Sequence, residues 1–248
     1  MIEAVATPNL AVPKVGKTVA VALLMGLSIS FVGTYSWVAL IRLNVRNSPE
    51  SPWAAAVTGC WLVIMLAWLS GRGWPRPTSA FRRFHLRLWR PERGAWSGES
   101  LTTILSLIAA MIGLAVVWVL MGTGGATVDV SAYPTTAIRF SVLLMGPMVA
   151  GVVEEMAFRG YMQSHLERVG PTFAILVTSA LFTLAHATHG LAYLIAVAPG
   201  FFLASVVYGY LALKSGSILP GMALHFAGDL AFAYFALLGG DSTLLFAN

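Results

Sequence analysis

The sequence contains few charged residues. Asp, Glu, Lys and Arg make up only 10% of its 248 residues, whereas they make up about 25% of an average soluble protein. Hydrophobic residues reach 58%, and the mean hydropathy is +0.79. This composition excludes a soluble domain, and it also excludes disordered and coiled-coil chains, which need many polar residues.

Cysteine is almost absent as well. Cys60 is the one cysteine in the sequence, so it cannot form an intrachain disulfide or build a zinc site from two thiols. The sequence also lacks the Gly-x-Ser-x-Gly nucleophile elbow and the His-Glu-x-x-His pattern of zincins. These absences argue against a serine or cysteine nucleophile and against a zincin-type site.

Long apolar runs dominate what is present. A transmembrane helix needs about 20 mainly apolar residues. Seven runs of this kind lie near 18–41, 53–70, 101–122, 138–163, 171–189, 191–213 and 217–238. We therefore expect an all-α, polytopic membrane helix bundle with about seven transmembrane helices in the lipid bilayer. It forms one integral-membrane domain, with N-terminal helices and a basic loop in 1–135 and charged late helices in 136–240.

Positive charge is concentrated in one loop. Seven arginines lie between Arg72 and Arg93, and an excess of Lys and Arg marks cytoplasmic loops. With a cytoplasmic N-terminus, eleven lysines and arginines fall inside and only Arg42 and Arg46 outside. The net charge of +5 thus fits a membrane surface, and we expect no nucleic-acid partner. Abundant Ala and Gly, and more Arg than Lys, indicate a GC-rich genome and a bacterial inner membrane.

Ionisable side chains occur inside the late runs. A charge at the bilayer centre costs about 2.5 to 3.5 kcal/mol on insertion scales, so such residues are functional candidates. They are Glu154, Glu155, Arg159, His186, His225 and Asp229. Glu155 and Arg159 are four residues apart and can pair on one helix face, whereas Glu154 points about 100° away.

Counting from the turn at Gly170 predicts which groups meet. Glu154 lies 16 residues before Gly170 and His186 lies 16 after it, so two antiparallel helices bring them to one depth. We expect this pair to activate water as a general base. His225 and Asp229, four residues apart, then either stabilise an oxyanion or join the pair as metal ligands.

The combined motifs resemble the CPBP family of intramembrane proteases, which includes the CAAX prenyl endopeptidases. The matching pieces are Glu154-Glu155-Met-Ala-Phe-Arg159, Phe182-Thr-Leu-Ala-His186 and His225-Phe-Ala-Gly-Asp229. The resemblance covers roughly 138–238 and implies that Glu154 and His186 activate water, while Glu155 and Arg159 hold the site together. It leaves two options for the cofactor: none, or a zinc ion. The last motif position is often asparagine in CAAX enzymes, so Asp229 weakens the transfer of prenyl specificity.

The implied function is an intramembrane endopeptidase that cleaves membrane-anchored proteins or peptides, including C-terminally anchored ones. One alternative is a non-catalytic membrane scaffold or bacteriocin-immunity-type protein. The presence of Glu154, His186 and His225 together argues against it. A proton-linked transporter is a further alternative, but transporters usually carry inverted repeats, and none is visible in the sequence.

Reporter fusions test the expected orientation. A reporter active only in the cytoplasm, fused after Ala95 and after Asn248, should be active at the first site and silent at the second. The reason is that the charge count places the 71–100 loop inside and leaves the C-terminus outside. Equal signals at both sites would show that the spans are miscounted, most directly around 123–137.

Overall fold

The computed structural model describes residues 15–67, 101–106, 108–109, 112–113, 128–129, 135–189, 191–238 and 243–244. Within these residues the longer helices are α1 (Val15–Asn47), α2 (Trp53–Ala67), α3 (Thr136–Leu166), α4 (Pro171–Ala185), α5 (Leu191–Ser215) and α6 (Leu219–Leu238). The described part of 101–113 is also helical. A two-residue strand pair joins β1 (Val128–Asp129) to β2 (Thr243–Leu244). The predicted all-α class is confirmed.

Most helix ends lie close to the predicted ones, with two differences. The first helix, predicted over 18–41, continues to Asn47 and so includes Arg42 and Arg46, which were expected in an outer loop. The run predicted at 171–189 is α-helical only to Ala185, and a 3-10 turn, His186–His189, follows it. By length and composition, α1 and α3 are apolar enough to cross a membrane. The basic loop at 71–100, the loop at 123–127 and most of the run predicted at 101–122 lie outside the described residues, so the count of seven spans stays a prediction.

Helix α3 carries most of the charged candidates and changes its winding along its length. Thr135 caps its start by accepting a hydrogen bond from the Ile138 amide, and its own hydroxyl donates to the Pro49 carbonyl. Pro147, inside the helix, has no N–H to donate and so interrupts the α-helical hydrogen-bond ladder. The helix is then π-helical over Ala150–Gln163, a winding that is rare and often found at functional sites.

Two glycines bring α1 close to α3. A Cβ added at Gly26 would lie 2.6 Å from Met162 Cε, and one added at Gly33 would overlap Val153 Cγ1. Gly26 faces Met162, and Gly33, later in α1, faces Val153, earlier in α3. These two helices are therefore antiparallel. Small residues permit such close approach of helix backbones.

Two polar contacts show how α5 runs relative to α3. Arg159 bonds to Ser205 and Gln163 bonds to the Gly209 carbonyl, which is a constant offset of 46 residues. Helices α3 and α5 therefore run parallel.

Helices α4 and α6 run in the opposite direction. Phe182 faces Phe201 with ring centroids 6.3 Å apart, while Ile175, earlier in α4, contacts Gly209, later in α5. In α6, Phe226 packs on Gly151 and Gly221 packs on Glu155 of α3. These alternating directions are those of a chain that crosses a bilayer back and forth.

The α1–α3 contact can be tested at Gly33. The Gly33→Ala variant should be destabilised by about 1 to 3 kcal/mol, because the new methyl group overlaps the branched Val153 side chain. Gly16→Ala is the matched control in the same helix, since a Cβ there meets nothing within 4 Å. Thermal unfolding in detergent should separate the two variants, and equal melting temperatures would contradict this packing.

Candidate active site

Glu155 lies at the centre of a buried hydrogen-bond cluster. Its Oε1 accepts one bond from Arg159 Nη1 at 2.8 Å and another from His225 Nδ1 at 3.0 Å. The Glu155 and Arg159 side chains have no exposed surface, and an unpaired ion in such a place costs several kcal/mol. The ion pair predicted from the spacing of Glu155 and Arg159 is present. His225 of α6 joins it through its own hydrogen bond to Glu155.

Arg159 links this cluster to α5 and to aromatic rings. Its Nη2 donates to the Ser205 hydroxyl at 2.6 Å and approaches the Ser205 carbonyl at 3.3 Å. The guanidinium carbon lies 4.7 Å from the ring centroid of Phe182 and 5.1 Å from that of Tyr208. Contact with aromatic faces offsets part of the cost of burying the cation.

Glu154 approaches the other nitrogen of the same imidazole. Its Oε2 lies 3.9 Å from His225 Nε2, beyond hydrogen-bond distance. That oxygen is buried and has no hydrogen-bond partner among the described residues. Consecutive side chains of an α-helix point about 100° apart, yet Glu154 and Glu155, in the π-helical segment, approach opposite nitrogens of one ring.

Asp229 lies at the more open end of the site. Its Oδ2 is 3.6 Å from His225 Nε2, and its side chain is 36% exposed, compared with 14% for Glu154. His225 and Asp229 are one helical turn apart on α6, as their spacing predicts. The ring nitrogen therefore faces two carboxylates, of which Glu154 is the less exposed and Asp229 the more exposed.

His186 begins the 3-10 turn after α4. Its Nδ1 is 2.8 Å from the Phe182 carbonyl oxygen, which can only accept, so Nδ1 carries a proton. When the ring is neutral, Nε2 carries a lone pair. The His186 ring packs on Phe201, and Phe182 lies 5.0 Å from His186 and 5.7 Å from His225. One phenyl ring thus contacts both histidines.

The register of α3 on α4 agrees with the predicted depth. Phe158 and Phe182 lie 12 residues before and after Gly170, and their ring centroids are 5.3 Å apart. Glu154 and His186 lie 16 residues from Gly170 along the same two elements. This register places the two residues at a similar level, whereas the pairing of their side chains stays a prediction.

The predicted metal ligands are not gathered around one point in the described part of the chain. Among the residues that the structure describes, no group of three or more His, Cys, Asp or Glu side chains is arranged to hold a metal ion. The proposed zinc ligands were Glu154, His186, His225 and Asp229. The hydrogen bond to Glu155 uses Nδ1 of His225 and leaves Nε2 available as a ligand, so a zinc ion on this set stays a prediction, and no step below is assigned to a metal.

Sequence reasoning missed two residues of α5. Ser205 accepts from Arg159, and Tyr208 stacks on His225 with centroids 4.9 Å apart and planes inclined by 19°. Neither is charged, so neither stands out in an apolar helix. Their spacing of three residues, which places them on one helix face, is the signal that could have found them.

Residues 135–231 match the family model described as type II CAAX prenyl endopeptidase Rce1-like. This segment is similar to that family. The resemblance to CAAX-type proteases is thereby confirmed over the region that carries the charged cluster. The Rce1-like match supports a membrane-embedded peptidase of the CAAX protease type. No curated protein and no solved structure matches the chain.

The buried ion pair is tested by removing its cation. Arg159→Ala should lower stability by about 3 to 5 kcal/mol, because it leaves the Glu155 carboxylate buried without its cation. Arg159→Lys should restore only part of this loss, because a lysine ammonium lacks the planar fork that reaches Glu155 and Ser205 together. Arg168→Ala, at an exposed position after α3, is the control. Unchanged melting of Arg159→Ala in detergent would contradict a structural role.

Proposed function

We propose that this protein is an intramembrane endopeptidase in which Glu154 and His186 activate the attacking water. The observation that carries the proposal is the buried, unpartnered Oε2 of Glu154 in the Rce1-like segment. An unpaired buried polar atom costs about 1 to 3 kcal/mol, so a molecule that bonds to it is favoured. Water is the smallest such molecule and is also the nucleophile of peptide hydrolysis.

The chemistry follows from the two proposed bases. Glu154 removes a proton from water as the water oxygen bonds to the scissile carbonyl carbon. His186, with its lone pair on Nε2, accepts a hydrogen bond from the remaining hydrogen and so orients the nucleophile. The tetrahedral intermediate collapses as its C–N bond breaks. The proton held by Glu154 then passes to the leaving amine, which yields one carboxylic acid and one amine.

His225 is placed to stabilise the negative charge of the intermediate. Its Nδ1–H is already donated to Glu155, so in the protonated ring Nε2–H remains as a second donor. A donor fixed in advance stabilises developing oxyanion charge without having to reorganise. Asp229, 3.6 Å from Nε2, orients the ring from the open side or, when protonated, donates to the oxyanion as an asparagine would.

We propose membrane-anchored proteins or peptides as substrates. The site lies among apolar helices whose outer residues include exposed Leu184, Leu191 and Ile195, so an anchored segment reaches it more readily than a soluble peptide. Asp229 departs from the asparagine often found in CAAX enzymes, and we therefore favour a C-terminal anchor over a prenylated CAAX tail. A bacterial inner membrane and a cytoplasmic N-terminus complete the proposal.

Substitution of Glu154 tests the proposed base. Glu154→Gln keeps the size of the side chain but cannot accept the proton, and general-base catalysis contributes about 10²- to 10⁴-fold. We expect cleavage to fall by at least about 100-fold while the variant stays folded. The assay uses proteoliposomes with two probes, a reporter carrying a C-terminal transmembrane anchor and a farnesylated CAAX peptide. Glu50→Gln, at an exposed position, is the control, and near-normal turnover by Glu154→Gln would remove Glu154 from this role.

A second substitution separates hydrolysis without a metal from hydrolysis with one. Asp229→Asn should retain most activity, because the amide replaces the acid as a donor to the oxyanion. Cleavage by this variant should also resist a chelator. If the chelator abolished cleavage and zinc restored it, hydrolysis would depend on a metal ion and the proposed mechanism would be wrong.

A further inference from the structure

Tyr208 lies between the buried cation and the imidazole of the site. It is 5% exposed and lies on α5. Its ring stacks on His225 at 4.9 Å, and the guanidinium carbon of Arg159 is 5.1 Å from the ring centroid. The hydroxyl lies near Gly228, where an added Cβ would be 3.9 Å away.

The hydrogen bond to Glu155 does not prevent the His225 ring from tilting. The bond from Nδ1 to Glu155 fixes one atom, but the ring can still tilt about that point. Phe182 contacts the ring at a steep angle of 68°, whereas Tyr208 is nearly parallel to it at 19°. The Tyr208 face is therefore the surface that opposes tilting.

The direction of Nε2 depends on this plane. Nε2 lies 3.9 Å from Glu154 Oε2 and 3.6 Å from Asp229 Oδ2, so a modest tilt would turn it away from both. A displacement of about 1 Å in a catalytic group can cost about 100-fold in rate. An uncharged residue that holds the plane can thus control turnover without touching the substrate.

We propose that Tyr208 is a positioning residue, whose ring holds the His225 imidazole in the plane that aims Nε2 at the space between Glu154 and Asp229. This inference rests on the proposed peptidase function. The required feature is the aromatic face, and the hydroxyl is dispensable. Tyr208→Phe should therefore behave like the parent protein, while Tyr208→Leu should not.

The test compares three variants of the full chain in proteoliposomes, with the C-terminally anchored reporter as the probe. Tyr208→Leu should lower kcat by about 10-fold or more and change KM by less than about twofold. Tyr208→Phe should restore kcat to within about twofold of the parent. Tyr210→Leu is the matched control on the same helix, because the Tyr210 ring lies by Lys214 at 5.5 Å.

A spectroscopic measurement tests the stacking without catalysis. In protein labelled with 13C at histidine Cε1, the His225 signal, assigned by its absence in His225→Gln, carries the ring-current shift of the stacked tyrosine. It should move in Tyr208→Leu and stay in place in Tyr208→Phe. A His225 signal that does not move in Tyr208→Leu would overturn the proposal, as would a large loss of kcat in Tyr208→Phe.

The pair of Tyr208 variants still tests the proposal if Tyr208→Leu fails to fold. If Tyr208→Leu did not fold, Tyr208→Phe would still decide, since retained kcat supports a role for the ring and lost kcat overturns it. A failure of the peptidase assignment would be recognised separately, because the parent protein would then cleave neither reporter while the stacking signal persisted.

Discussion

One carboxylate oxygen joins three helices of this protein. Glu155 Oε1 accepts bonds from Arg159, on its own helix, and from His225 on α6, while Arg159 continues to Ser205 on α5. In an apolar interior neither the Glu155 carboxylate nor the Arg159 guanidinium is stable alone. The late helices are therefore held in one arrangement by charge pairing as well as by packing, and the orientation of His225 follows from it.

The proposed catalytic group depends on this cluster without belonging to it. Glu154 directly precedes Glu155 on α3, and its Oε2 faces the imidazole nitrogen that Glu155 does not use. The π-helical winding of this segment accompanies the approach of both carboxylates to one ring. Packing supports the arrangement from outside, since Gly33 admits Val153 of α3 and Gly221 leaves room for the second oxygen of Glu155.

Much of this arrangement could be predicted from the sequence, because spacing along a helix determines which residues share a face. The pairing of Glu155 with Arg159 and the register of α3 against α4 both follow from residue counts. Spacing does not determine how one helix is rotated against another, and so the bond between Glu155 and His225 was not predicted. The same limit explains why Ser205 and Tyr208 were missed.

The central claim is that Glu155 and His225 act as one unit, and a double-mutant cycle measures this directly. The free energy of unfolding in detergent is determined for the parent, Glu155→Gln, His225→Gln and the double variant. Contacting residues in one network show interaction energies of about 0.5 to 3 kcal/mol, and we expect a value of at least about 1 kcal/mol in this range. Single effects that add to within about 0.3 kcal/mol would contradict the account.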